Sequence, residues 1–274
     1  MPDKGQRYEH AVVNIAGYVV EFPNVENMAE LRGLNSEPDP YATSADPLFP
    51  MGTKAIQGES IFRYCKNGAT ELAIAAPIQQ AKRAHAEQDD DIVVGAVAAI
   101  GATSVELVST ALLDTAPNNI ANDFAEGYMI VNDVVGQGQM YKIRANELFA
   151  GTALSTFELY DGLTIALGTC SEVGLIRNPY YKVIATEAPV SGMAIGVPLL
   201  VVPANHYFWA KSGGPAPVVA QEAITLGTPV VVGVTAAKVN EHNPSSTGEL
   251  IIGYPQTPGV EDTEQFICFL TLDR

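Results

Sequence analysis

The feature that most constrains this chain is a two-residue alternation of apolar and polar side chains, repeatedly interrupted by turn formers. Val105 and Leu107 alternate with Ser104 and Glu106, Tyr141 and Ile143 with Lys142 and Arg144, and Phe157 and Leu159 with Thr156 and Glu158. A period of two puts one set of side chains on each face of an extended strand, one face inward and the other toward water. From Ile61 onward, short runs of Val, Ile, Tyr, Phe and Thr are separated by Gly, Pro, Asn and Asp, which predicts strands joined by turns. Asn178-Pro179 and Ser212-Gly213-Gly214-Pro215 read as turns. Gly136-Gln137-Gly138 has the start of a dinucleotide fingerprint but lacks the third glycine and the following helix, so it reads as a hairpin turn before a strand at 139–144.

Helix signals are few. Residues 76–91 contain good helix formers without a clean apolar stripe, which allows one surface helix there; Asn27 to Gly33 and Asn118 to Glu126 are weaker candidates. Asn35 to Met51 carries Pro38, Pro40, Pro47 and Pro50, a density that forbids both helix and ladder pairing and predicts loop or extended chain. The expected organisation is an extended N-terminal arm at 1–55, either reaching a neighbour or wrapped as a loop on its own domain, a β-rich domain at 56–190 and a second β-rich or barrel module at 191–274. Gly196-Val197-Pro198 and Gly227-Thr228-Pro229 form a weak echo, each read as a turn feeding an apolar strand. The C-terminal run Phe266-Ile267-Cys268-Phe269-Leu270 predicts a buried strand stapling the last sheet. The fold class is therefore mainly β, with antiparallel sandwich or barrel domains, the arm, and few short helices.

Charge narrows the partners. The formal net charge is −16 over 274 residues, from 31 acidic and 15 basic side chains, and only 17% of residues are charged. Phosphate recognition needs clustered Lys and Arg, and no such cluster is present, so nucleic acid is not an expected partner. The low charge fits a surface partly covered by other subunits, or equally one made neutral by Ser, Thr, Asn and Gln. Met1 to His10 is polar and lacks the apolar core of a secretory signal, and no run approaches the ~18 apolar residues that span a bilayer, so a soluble protein is expected. Cys65, Cys170 and Cys268 are far apart, odd in number and set in apolar stretches, which predicts buried thiols in a reducing compartment.

Signals for chemistry are sparse. His10, His85, His206 and His242 are too separated for a local metal motif, and Asp89-Asp90-Asp91 lacks the spacing and glycine of a calcium loop. The serine-hydrolase, zincin and P-loop motifs are absent. Paired carboxylates for glycoside hydrolysis need not be close in sequence, but nothing positive supports them. No enzyme activity, cofactor or metal is expected. Tyr207, Phe208 and Trp209 form the most aromatic patch and contain the only tryptophan; with Tyr180 and Tyr181 they are the candidate interface residues. Aromatics dominate both cores and interface centres, so core packing, subunit contact and ligand stacking all stay open for them.

Several stretches together resemble a known family. Phe62-Arg63-Tyr64-Cys65-Lys66-Asn67-Gly68-Ala69-Thr70 is similar to an opening found in virion structural proteins of tailed bacteriophages. Gly127-Tyr128, Gly136 to Ile143, Asn178-Pro179-Tyr180, Tyr207-Phe208-Trp209 with Gly214-Pro215-Ala216, and the closing Leu270 to Arg274 follow in the same order, over roughly residues 60–274. The resemblance implies a capsid decoration (cement) protein, a homotrimer seated on the outer surface of the head and bound to the major capsid protein. It also implies that part of the chain forms a β-tulip-like or small barrel module. A tail, fibre or baseplate component fits the same β-rich composition, and a carbohydrate-binding β protein is a more distant alternative.

Overall fold

A computed structural model describes residues 9–25, 36–83, 86–90, 92–108, 120–149, 153–245, 249–259 and 264–273. Along the chain, β1 (Glu9–Ile15), β2 (Tyr18–Val25), β3 (Lys54–Gln57), β4 (Ser60–Lys66) and β5 (Ile78–Gln79) come first. One helical turn, α1 (Glu87–Asp90), precedes β6 (Ile92–Val93), β7 (Ser104–Val108), β8 (Tyr128–Asp133), β9 (Met140–Asn146), β10 (Leu154–Leu159) and β11 (Glu172–Ile176). The last segment holds β12 (Ile184–Ala185), β13 (Ala194–Pro198), β14 (Tyr207–Val219), β15 (Val230–Val232), β16 (Val239–Glu241), β17 (Ile251–Pro255) and β18 (Gln265–Thr271). The protein is mainly β, its named strands all pair antiparallel, and one sheet is nearly closed into a barrel.

The chain divides differently from the sequence expectation. Arg83–Asn178 forms one compact unit, and the other runs from β1 through Lys82 and resumes at Pro179. In the first unit, six strands in the order β6-β11-β8-β9-β10-β7 turn one face inward. Val105, Leu107, Tyr141, Ile143, Phe157 and Leu159, the inward set read from the alternation, are all buried there. Asp123 and Arg177 form a buried ion pair at 2.5 Å in this unit, with the guanidinium 5.2 Å from the Phe124 ring centroid. The Gly136–Gly138 segment is the predicted turn, where Gly138 N–H donates to Val131 O at 2.8 Å and both glycines have positive φ.

The second unit is built on one twelve-stranded sheet whose main path is β1-β2-β3-β4-β14-β18-β17-β15-β16. The described part of the 1–55 segment is wrapped on its own unit, and what is corrected is its reading as loop throughout. Residues 36–53 are loop, as the prolines require, but β1 and β2 form a hairpin that joins this sheet through β3. Val20 and Phe22 of that hairpin are fully buried with Phe49 and Trp209, so burial of apolar area, which composition alone did not show, ties the segment down. Ser212–Pro215 is likewise no turn. It lies within the thirteen-residue β14, where a register shift between Lys211 and Gly213 absorbs the irregularity. Only the second half of the echo holds: Gly227 (φ +92°) leads into β15, whereas Gly196 to Pro198 is itself strand β13.

The helix expectation at 76–91 also yields to tertiary pairing. Gln79 is fully buried in β5, between β12 and β13; its Nε2 donates to Ser191 Oγ at 2.7 Å and its Oε1 accepts from Glu187 N–H at 3.2 Å. Only Glu87–Asp90 is helical. At 120–126 the left-handed Asn122 and Glu126 (φ +63° and +62°) replace a helix by turns, and the candidate at Asn27–Gly33 lies outside the described residues. Among the thiols, Cys65 and Cys268 are buried as expected, but Cys170 is exposed, because it sits in a turn before β11 rather than inside a strand.

Candidate protein-interaction site

Five residues were singled out, and the structure separates them by strand geometry. On β14, Phe208 and Trp209 point to opposite faces and enter two different cores. Phe208 packs with Cys65, Leu72 and Ile78; Trp209 packs edge-on against Phe49 (centroids 5.0 Å) and Tyr64 (5.1 Å). Both are at most 2% exposed, so of the alternatives open to them these two take core packing and not a subunit contact. Their energy goes into the unit's own interior.

Tyr207, Tyr180 and Tyr181 do converge. Tyr207 opens β14 opposite Lys66, the last residue of β4, and its ring stacks on Tyr64 at 5.9 Å and 11°. The 179–183 segment is laced to the end of β4: Lys66 N–H donates to Tyr180 O, Val183 N–H to Lys66 O and Gly68 N–H to Val183 O, each at 2.9 Å. On its other side, Tyr207 exchanges backbone bonds with Ser44, N–H to O at 2.9 and 2.8 Å. These bonds bring Lys66 Nζ to 5.3 Å from the Tyr207 ring centroid and 5.4 Å from that of Tyr181. Lys182, held at a left-handed φ of +55°, places its Nζ 5.0 Å from the same Tyr181 ring. A lysine adopts that backbone conformation at a cost of about 1 kcal/mol or more, which the surrounding ladder bonds offset.

Tyr180 supports the cluster from below. Its ring lies against Gly52, where φ is +84° and an added Cβ would come 2.8 Å from Tyr180 Cδ2, so no other residue fits there without displacing the ring. Arg63 stacks over Tyr180 at 5.5 Å and is fixed by Asp273, with Nη2 to Oδ1 at 2.9 Å and a second, shorter contact from Nε to Oδ2. Its Nη1 also donates to Gly52 O at 2.9 Å. Burial raises the Tyr180 phenol above its ordinary value and pushes Tyr64 up to about 12, so both stay protonated at neutral pH. Burial works against the Arg63 charge, but the bond and charge of Asp273 outweigh it and the guanidinium pKa is raised.

The result is a half-buried surface in which two ammonium groups lie over ring faces. Each such contact contributes about 0.5–1 kcal/mol at a partly exposed position, and it holds a long side chain in place before any partner arrives. The chemistry suits a partner offering carboxylates or backbone carbonyls to the amines and apolar surface to the rings. Sequence reasoning found the tyrosines but missed Lys66 and Lys182. The only signal was adjacency, Tyr180-Tyr181-Lys182 in one loop and Lys66 one step beyond the alternating Phe62, Tyr64 pair. Among the described residues, no three His, Cys, Asp or Glu side chains gather as a metal-holding group, and no helix is long and apolar enough to cross a membrane. Of the acidic triplet, the Asp89 carboxylate pairs with Arg83.

Comparison with protein-family models, with curated proteins and with solved structures finds no match.

Proposed function

We propose that this protein is a capsid decoration protein of a tailed bacteriophage, a homotrimer that binds the outer face of the major capsid protein shell and stabilises it. The cluster of Lys66, Tyr181, Lys182 and Tyr207 carries the reading, because partly exposed aromatic rings, here with amines held over their faces, are the chemistry of interface centres. A net charge of −16 supports it further: an acidic body is repelled by packaged DNA and suited to the outer side of a shell. Holding a shell together requires geometry and buried area, on the order of 1,000 Å² or more per contact, which a rigid β scaffold supplies.

The test is co-sedimentation of purified protein with heads of the phage that encodes it. Wild-type protein decorates the heads, and Tyr181→Ala combined with Lys66→Ala lowers the affinity at least about tenfold, the loss of about 1.4 kcal/mol typical of an interface centre. Full binding by that variant removes the cluster from the interface, and no binding by wild type removes the reading. Deleting residues 1–45 is not a clean test, since it takes β1 and β2 out of the core of the second unit.

A further inference from the structure

We propose that the outer edge of β1 is a self-association site, where β1 of a second copy of this chain adds antiparallel across a two-fold axis. The two ends of the twelve-stranded sheet are treated differently. At one end β16 is three residues long, follows Lys238, and has its edge occupied by a bridge from Ala220 and a bond from Gln221 N–H to Val239 O at 2.8 Å. At the other end β1 pairs with β2 alone, and among the described residues nothing bonds its far side. Natural edges are usually blunted by Lys, Pro, a bulge or brevity. Ala11–Ile15 carries no charge and no proline, and the one register irregularity lies before it, between Glu9 and Ala11.

The occupant follows from the register. Ile15 and Tyr18 close a two-residue turn at Ala16-Gly17, both with positive φ, so Ile15, Val13 and Ala11 bond across the hairpin while Val12 and Asn14 turn their N–H and C=O groups outward. Antiparallel self-pairing centred on Val13 sets Val12 against Asn14 of the second copy, and Asn14 against Val12. Every outward group in the stretch then finds a partner, about four bonds in all. The same centring puts Val13 on Val13 and Ala11 on Ile15. All three are core-facing: Ala11 is buried, while Val13 and Ile15 are only partly covered at the rim of the core containing Phe22 and Trp209. Two incomplete cores become one continuous apolar layer.

Local charge does not oppose this pairing between two acidic chains. The paired stretch is neutral, and Glu21, which faces Val12 from β2, would lie three strand spacings from its mate. That is about 14 Å or more, beyond the screening length of about 8–10 Å at ordinary salt. The contact is independent of shell binding and joins copies whether each is single or already part of a ring.

The experiment uses purified full-length protein without any shell, in a Cys170→Ser background because Cys170 is the exposed thiol. Val13→Cys sets two thiols face to face in a non-bonded pair and, under mild oxidation, yields a disulfide-linked two-chain species at least tenfold faster than Val12→Cys alone. Mixing Val12→Cys protein with Asn14→Cys protein yields the mixed two-chain species. Adding Val12→Pro, which removes an outward donor and is tolerated on an edge, abolishes the link in the Val13→Cys protein while its circular dichroism stays native. The proposal is overturned if Val13→Cys stays single-chain, if Val12→Cys links as fast, or if the proline variant folds and still links.

Discussion

Strands β1 and β18 are each seven residues long and alternate in burial, over Ala11–Ile15 and Gln265–Leu270, yet the fold uses them in opposite ways. Phe266, Cys268 and Leu270 of β18 enter the core, and its backbone is bonded on both sides, to β14 over seven residue pairs and to β17 over three. β1 sends Ala11, Val13 and Ile15 to a core rim and, among the described residues, is bonded to β2 alone. The lesson is that alternation specifies a strand and its inner face, but carries no information about how many neighbours the strand acquires. Stability should therefore be concentrated at β18 and association at β1.

The largest expected effect is at Phe266. Replacement by alanine removes a 5%-exposed ring from the core and costs about 3–5 kcal/mol, measured by urea unfolding. A loss below about 1 kcal/mol would mean that β18 is not the central staple.

Next comes the ion pair that anchors the end of β18. Asp273 lies just past the strand, with its side chain 17% exposed and Arg63 at 22%. Asp273→Ala leaves a mostly buried guanidinium short of a partner and costs about 1–3 kcal/mol. Burial opposes the Asp273 charge, but its bonds to Arg63 and Ser212 hold the carboxyl below its ordinary value. A group depressed in this way contributes stability that is complete above the unfolded pKa of about 4 and lost as pH falls through the lower folded value. Wild-type protein should therefore lose stability below about pH 4 more steeply than Asp273→Asn, and parallel acid limbs in the two proteins would refute the pairing.

The edge strand should respond far less. Val12→Pro removes a donor that faces away from β2, so the unfolding free energy measured in urea should change by less than about 1 kcal/mol. A large destabilisation would mean that the far side of β1 is already bonded. The smallest effect is chemical: at pH 8 the native protein should react with a thiol reagent once, at Cys170, and three times when unfolded. Burial raises the Cys268 thiol to about 12 and lifts Cys65 well above its ordinary range, so neither forms a reactive thiolate in the folded state. A second native equivalent would show that β4 or β18 opens, and mapping it to Cys65 or Cys268 tells which.

Much of the local structure was legible. The inward residues of β7, β9 and β10, the Gly136 turn and the C-terminal strand follow from alternation and turn chemistry, which act within a few residues. Half the candidate site was not. Phe208 and Trp209 look like interface aromatics because composition cannot separate a core from a contact surface. Lys66 and Lys182 were invisible because a ring 5 Å from an amine is a product of long-range packing. The same limit hid the discontinuous unit, since nothing near Lys82 or Pro179 announces that the chain resumes one body after building another.

By itself, then, the sequence determined a mainly β chain, the inner faces of β7, β9 and β10, the proline-rich loop and its acidic character, because these depend on side-chain period, backbone restriction and charge count. The tertiary structure alone decided which strand lies in the middle and which at the edge, which aromatics are buried, and which amines meet which rings. Those outcomes are set by pairing between segments far apart in the chain, and the energy of such pairing is written in neither partner alone.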